Sequence, residues 1–357
     1  MSQEAERVLT LRELNRATLA RQLLLRRARL TARQAVQAVG ALQAQLPSSP
    51  YLALWSRLDG FHREKLVRGL QRRAIVKATL MRGTLHLVSS ADYLAYAGVF
   101  SHTRSAELAR RLDDRDLEEK ARRAAELASE PRTRQELLEL LSERPLRLDD
   151  RPAWLVWHLI QAQAGLVLAP ESAMWRRTTG RARFVSSAAW LGGRAADGPA
   201  AVDLVVRRYL RAFGPASVAD AMQWTGLPAT ILRPQLERIA TRRFRDEEGR
   251  PLFDLPRAPI PAGQTPVPPR LLPMWDSILL AHDDRSRVLP DEYRKLVIAK
   301  NGDVAQTFLV DGVVAGTWEV AADRVVLRPF APLPRVARRE LEEEAGRLEA
   351  WLGPAGA

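Results

Sequence analysis

The sequence contains no cysteine. Disulfides, cysteine-ligated zinc, iron–sulfur clusters and a thiol nucleophile are therefore excluded, and a reducing cytoplasm is the default compartment. Histidine is scarce, with five residues in 357, so a histidine-rich metal site is not expected. No run of eighteen uncharged apolar residues occurs, which excludes a transmembrane helix. The opening MSQEAERVLT has no basic segment leading into an apolar stretch, so no secretory signal is read there. A glycine-rich loop of the P-loop kind is also missing.

What is present is an ordinary globular composition, 46% hydrophobic and 27% charged, with a length that suits two or three domains. The charge is unevenly placed. The chain carries 55 basic and 42 acidic residues, net +13. Residues 1–112 hold 19 Lys/Arg against 7 Asp/Glu, net +12, and residues 113–357 hold 36 against 35. A basic first third joined to a neutral remainder points to a polyanion partner, and that third is expected to dominate affinity for it. The alternative is a merely solvated basic surface. The basic residues are dispersed over helices and a hairpin, unlike a membrane-surface helix with an apolar face.

One pattern occurs three times: helices joined by short turns, then a β-hairpin. In the first copy, Leu11–Leu25 reads as a helix. Thr31 caps a second helix that runs through Val36, Val39 and Leu42. Pro50–Leu58 and Arg63–Arg73 give two more, and Ile75–Leu80 and Thr84–Val88 form a hairpin around Arg82-Gly83. In the second copy, Thr133 and Glu136 form a capping box for a helix through Leu141. Trp154–Gln163 is an apolar helix, and a strand from Gly165 to Leu168 is returned by Arg181–Val185. In the third, Val202–Phe213, Ser217-capped Val218–Trp224 and Ala229–Ile239 precede a hairpin, Arg243–Leu255, around Glu248-Gly249. Helix–turn–helix plus hairpin is the winged-helix plan, used for duplex DNA and also for protein contacts. The first two units are expected to touch through apolar helix faces, since no Gly/Ser linker separates them.

Residues 257–272 are proline-rich and read as an extended segment. A helix is expected around Asp276 to Asp284, then a meander of Val304–Val310, Val313–Val320 and Arg324–Leu327 with a turn at Asp311-Gly312. Val336, Leu341, Leu348 and Leu352 line a closing helix.

The segment LQAQLPSSPYLALWSRL at 42–58 is the odd one. On a helix, Gln43 and Gln45 would point about 200° apart. Pro47 pushes Leu46 out of the α region, and in an extended exit i and i+2 share a side. The two amides then converge on one target, or else they are ordinary helix-end glutamines facing water. A second Gln-Ala-Gln, at Gln161 and Gln163, lacks the Pro-Ser-Ser-Pro exit. His86 on the first hairpin either makes a structural hydrogen bond or contacts DNA. Arg57 and Arg82 are candidate phosphate contacts. Asp276, His282, Asp283 and Asp284 have metal-site composition but no known ligand spacing, so no metal is assigned. Lys65 and Lys77 are the lysines available for a Schiff base, and nothing singles out either one.

The stretches LQAQLPSSPYLALWSRL, Met81-Arg82-Gly83-Thr84-Leu85-His86, FGPASVADAMQWTGL at 213–227, LLPMWDSILLAHDDRSRVLP at 271–290 and FLVDGVVAGTW at 308–318 together resemble the winged-helix DNA glycosylase family of AlkZ and YcaQ. The likeness runs in order over nearly the whole chain. The family's catalytic motif is Gln-x-Gln or Gln-x-Asp, and Gln43-Ala44-Gln45 resembles the AlkZ form. The resemblance implies a mainly α fold with β wings (α+β): three tandem winged-helix domains in a concave arrangement, at 1–112, 113–198 and 199–256. A proline-rich linker, small β-rich domain and closing helix follow at 257–357. It also implies a glycosylase that excises N7-alkylguanine and unhooks interstrand crosslinks, with Gln43 and Gln45 catalytic and no cofactor. Such an enzyme acts on double-stranded DNA as a monomer, in the bacterial cytoplasm at the nucleoid and away from membranes. The competing readings are a non-catalytic winged-helix regulator and a protein-interaction scaffold.

Overall fold

The computed structural model describes residues 6–112, 117–142, 157, 160, 161, 163–175, 181–193, 196 and 198–353. Most of the expected Trp154–Gln163 helix lies outside these residues.

The chain opens with strand β1 (Val8–Leu9) and helix α1 (Leu11–Arg21), whose capping box joins Thr10 and Glu13. The expected helix to Leu25 stops four residues early, because Leu23 turns into the left-handed region at φ 58°. Thr31 caps α2 (Ala32–Ala38) with Gln34 reciprocating. This helix also ends early. Gly40, at φ 85°, supplies the left-handed residue that stops a helix, so Leu42–Gln43 is free to become β2. Helices α3 (Ser49–Arg57) and α4 (Arg63–Gln71) lead to a hairpin of β3 (Ile75–Thr79) and β4 (Leu85–Ser89) around a tight turn at Met81–Gly83.

Next come α5 (Ser90–Leu112), α6 (Leu117–Leu127), β5 (Arg132–Thr133) and α7 (Arg134–Ser142). The capping box of Thr133 and Glu136 is present. A second hairpin follows, of β6 (Leu166–Leu168) and β7 (Arg183–Ser186). The two hairpins join into one antiparallel six-stranded sheet in the order β2-β4-β3-β6-β7-β5. The seam is β3 on β6, pairing Lys77 with Leu168 and Ala78 with Val167. The first two units therefore share a sheet, and the expected apolar helix contact accompanies it: Tyr93, Tyr96 and Phe100 of α5 lie in one core with Val167 and Val185 of the second hairpin. A hairpin edge has unpaired N–H and C=O groups, and a neighbouring hairpin satisfies them directly.

The third set of elements closely matches its expectation: helices Pro199–Phe213, Val218–Thr225 and Ala229–Ile239, then β8 (Arg242–Asp246) and β9 (Pro251–Asp254). Ser217 and Asp220 form the capping box, and Gly226 ends the middle helix at φ 74°. The β1 strand lies parallel on β8, so the start of the chain is built into this set. Arg21 of α1 pairs with Asp254 of β9 in the interior, at 2.7 Å.

Residues 258–269 are irregular but tied down: Arg16 donates to the Thr265 carbonyl at 2.9 Å and Arg242 to that of Ala258 at 2.9 Å. Arg270–Leu272 is not linker; it forms β10, the edge of a sheet with β11 (Thr307–Val310), β12 (Val313–Ala321) and β13 (Arg324–Pro329). The helix expected around 276–284 is reduced to a single 3₁₀ turn, Ser277–Leu279, capped by Asp276. Pro273 before it and the Asp283-Asp284 turn after it leave no room for more. The closing helix is Arg335–Leu352, with Leu341 and Leu348 buried but Val336 exposed, because the first turn overhangs the sheet. One apolar core joins this C-terminal part to α2, α3 and α4: Trp318, Phe308, Leu341 and Leu348 pack with Tyr51, Leu54 and Leu66.

Candidate active site

Gln43 and Gln45 lie beyond the end of α2, Gln43 in strand β2 and Gln45 in the bend that follows it. Gln43 is the last residue of β2 and lies opposite His86 of β4. Beyond it the ladder continues by one main-chain bond, Ala44 N–H to the Leu85 carbonyl at 2.7 Å. The next position is taken by a side chain: the Leu85 N–H donates to Gln45 Oε1 at 2.9 Å. The guanidinium of Arg82 donates to Gln43 Oε1 at 3.4 Å. Gln43 is buried and Gln45 exposed, yet both amides meet the same short segment, 82–85.

The hydrogen-bonding chemistry settles which way the amides face. A backbone N–H and a guanidinium only donate, so the atom meeting each must be the carbonyl oxygen. Both amides thus turn their oxygens towards the hairpin, and neither NH2 group meets an acceptor among the described residues. Each oxygen retains a second lone pair for a water or an electron-poor carbon.

Arg82 sits at the hairpin tip at φ 51°, with Gly83 following at φ 72°. Its guanidinium also donates to the Trp224 carbonyl at 2.5 Å and the Gln223 carbonyl at 3.4 Å, at the end of the Val218–Thr225 helix. The surrounding protein and the charge of Arg285 lower its pKa to about 10, so it remains a cation at neutral pH. Trp224 and Arg285 carried no assigned role in the sequence. The Thr225-Gly226 turn is the one legible signal for Trp224, since a helix must end there, and nothing in the sequence marks Arg285.

His86 is buried, and its Nδ1 lies 2.9 Å from the Thr84 carbonyl. Burial, reinforced by the Arg82 charge, pushes its pKa down to about 3. Of the two readings open in the sequence, its burial and the Thr84 contact favour the structural hydrogen bond. Arg57 is likewise removed from the DNA-contact candidates. It is fully buried, and its guanidinium forms two 2.8 Å bonds with Asp276. Its place on the inner face of α3 leaves no path to a duplex.

The acidic cluster downstream is dispersed. Asp276 answers Arg57, Asp284 pairs with Arg250 at 2.6 Å, and His282 Nε2 faces the Phe213 carbonyl at 2.9 Å. The second Gln-Ala-Gln serves packing: Gln161 donates to Thr79 Oγ1 at 2.9 Å, across the seam between the hairpins.

Helices followed by hairpins, with two amides held against one of the hairpins, make an α+β protein with polar, non-titrating groups at its candidate centre. Comparison with known proteins makes the class specific. The family model described as "DNA glycosylase AlkZ-like" matches residues 36–351. The chain belongs to this AlkZ-like family of DNA glycosylases. The interstrand DNA cross-link repair glycosylase of Streptomyces sahachiroi is 27% identical over 362 residues, covering 93% of this chain and 94% of that protein. The solved structure of the Streptomyces sahachiroi DNA glycosylase AlkZ matches with a TM-score of 0.83 at 24% identity, over 96% of this chain and 97% of that one.

Proposed function

We propose that this glycosylase hydrolyses the N-glycosidic bond of N7-alkylated guanine, including guanines joined in interstrand crosslinks, with Gln43 and Gln45 as its catalytic pair. The relative's role in crosslink repair supports the substrate class. The observation that carries the site is the shared fastening of both amides to residues 82–85.

The chemistry suits amides. An N7-alkylguanine is already cationic, so it departs as a neutral base and needs no acid. Two tasks remain: stabilising positive charge on the sugar and holding a water for attack at C1′. The free lone pair of a fixed amide oxygen serves either one, and the freed NH2 groups orient neighbouring oxygens. A 10⁴-fold acceleration requires only about 5.5 kcal/mol. Two prealigned dipoles and a positioned water are of that order.

The remaining calls follow from this reading. Lys65 is engaged with the Gly60 carbonyl and Lys77 is buried in the sheet, so a monofunctional enzyme that leaves an abasic site is proposed. Its duplex surface is formed by three winged-helix units, 1–112, 113–198 and 199–256, acting in one monomer. No helix among the described residues is long and apolar enough to cross a membrane.

Single-turnover release of N7-methylguanine from a duplex, with duplex binding measured in parallel, tests the proposal. Gln43→Ala and Gln45→Ala are expected to cut release by at least tenfold and leave affinity for undamaged DNA within a few-fold, because neutral amides act on the transition state. Wild-type release by both variants would overturn the assignment.

A further inference from the structure

We propose that Arg82 is a positioning residue for the Gln43–Gln45 pair: its guanidinium locks the Gln43 amide in one orientation and braces it against the end of the Val218–Thr225 helix. This rests on the reading of Gln43 and Gln45 as catalytic, and it reassigns a residue first taken for a phosphate contact.

Three observations support it. First, the guanidinium is a fork used on two sides. One nitrogen donates to the Trp224 and Gln223 carbonyls and the other to Gln43 Oε1. Those carbonyls form the negative end of a helix dipole, a natural seat for a cation. Second, the fold accepts strain to place it. A non-glycine residue at φ 51° costs about 1 kcal/mol or more, and such outliers persist where the surroundings over-determine them. Third, Arg82 makes no ion pair among the described residues, although arginine–carboxylate pairs are common in this chain. A carboxylate beside it would compete with the amide oxygen for the same hydrogens.

The consequence is mechanistic. Rotating the Gln43 amide by 180° would set its NH2 against a guanidinium, two donors facing each other. The wrong orientation is thereby excluded before substrate arrives, which is what preorganisation requires. The 3.4 Å separation is long for a hydrogen bond, and it is expected to shorten around bound substrate. The brace also makes the amide's setting depend on residues 223–224, about 180 positions away in the chain.

The test uses the full chain and N7-methylguanine duplex under single-turnover, saturating conditions. Arg82→Ala, Arg82→Lys, Gln43→Ala and Gln45→Ala are compared, with binding to undamaged duplex measured at two salt concentrations. Arg82→Ala is expected to slow release at least tenfold, move affinity less than threefold, and regain part of its rate when millimolar guanidinium ion is added. Arg82→Lys keeps the charge but not the fork, so it is expected to bind normally and release slowly. If Arg82→Ala does not fold, Arg82→Lys decides by the same comparison. Full-rate release with weakened, less salt-dependent binding would make Arg82 a phosphate anchor and overturn the proposal. Full-rate release with unchanged binding overturns it as well. Inactive glutamine variants beside a full-rate Arg82 variant refute positioning alone, whereas active glutamine variants refute the catalytic pair and positioning with it.

Discussion

The guanidinium of Arg57 and the carboxylate of Asp276, 219 positions apart, face each other through two 2.8 Å hydrogen bonds in the interior. Both groups are buried, and Gln22 Oε1 and the Ala53 carbonyl take further guanidinium hydrogens. Removing one member of such a pair strands the other charge and costs about 3–5 kcal/mol, whereas replacing both with apolar groups is far milder. Arg57→Met is therefore expected to be strongly destabilised in urea melts, and Arg57→Met/Asp276→Leu to recover much of the loss. Duplex affinity per folded molecule should not change in either, because Arg57 does not reach the surface.

The pair belongs to a set that changes the meaning of the charge asymmetry. Arg16 pairs with Asp311, Arg21 with Asp254 and Arg27 with Glu344, each a first-third cation answered by an acid from the far part of the chain. Composition placed a net +12 in residues 1–112 and could not show that five of those cations, counting Arg57 and also Arg12, which shares Asp311 with Arg16, are consumed in holding the ends of the protein together. The local elements were legible because their signals are local: Thr31, Thr133 and Ser217 cap, Gly226 terminates, and Asp311-Gly312 turns. The end of the helix before Gln43 was legible from Pro47, although Gly40 is the residue that ends it, and Gln45 stands in a bend where extended backbone was expected. What escaped was long-range: the β3–β6 seam, the docking of β1 on β8, and the hold of Arg82 on Trp224. Partners so distant in sequence leave no periodicity to read.

Acid should unfold the protein through its buried histidines. Burial and Arg82 bring His86 down to about 3; burial and Arg287 bring His282 down to about 4. Both are near 6.5 when unfolded. Below pH 6.5 the unfolded chain takes up protons that the native state refuses, so stability falls with pH until each folded pKa is reached. From pH 7 to 5 each histidine should remove about 2 kcal/mol. Urea midpoints across that range measure the loss, and a His86→Asn/His282→Asn variant should show a much flatter acid limb. An equally steep limb in that variant would place the effect elsewhere.

Gly312 is where α1 grips the C-terminal sheet. Asn15 donates to its carbonyl at 2.8 Å, and its φ is 84°. A Cβ there would lie 2.6 Å from Leu19 Cδ1 and 2.7 Å from Asn15 Oδ1. Gly302 has φ 87° and nothing within 4 Å of its Cβ position. Gly302→Ala should cost about 1 kcal/mol for the left-handed backbone alone. Gly312→Ala carries that cost plus a core clash, about 2–4 kcal/mol in total. Thermal or urea melts of the two variants separate the contributions, and equal losses would mean that α1 yields without cost.

The salt dependence of duplex binding should be shallower than the first-third charge implies. Each neutralised phosphate contributes about −0.9 to the slope of log K against log salt. A net +12 converted directly would give about −11. The paired cations cannot contribute, since their counter-charges are already in place. Among the exposed first-third arginines, Arg26, Arg33, Arg68, Arg72 and Arg73 make no ion pair among the described residues, and neither does Arg82, which is held by the Trp224 carbonyl and Gln43. Arg68 and Arg72 stand one helical turn apart along α4 and its C-cap, a spacing that presents two cations on one side. If only such unpaired groups meet phosphates, the slope should be about −4 to −5. Arg68→Gln/Arg72→Gln should then lower its magnitude by about 2 and weaken specific and non-specific duplexes alike. Arg27→Gln, which removes a paired cation, should leave the slope unaltered. Titrations of undamaged duplex at four or five salt concentrations, with wild type and both variants, give the three slopes. A wild-type slope near −11, or an equal loss from Arg27→Gln, would show that the paired cations are released to DNA on binding.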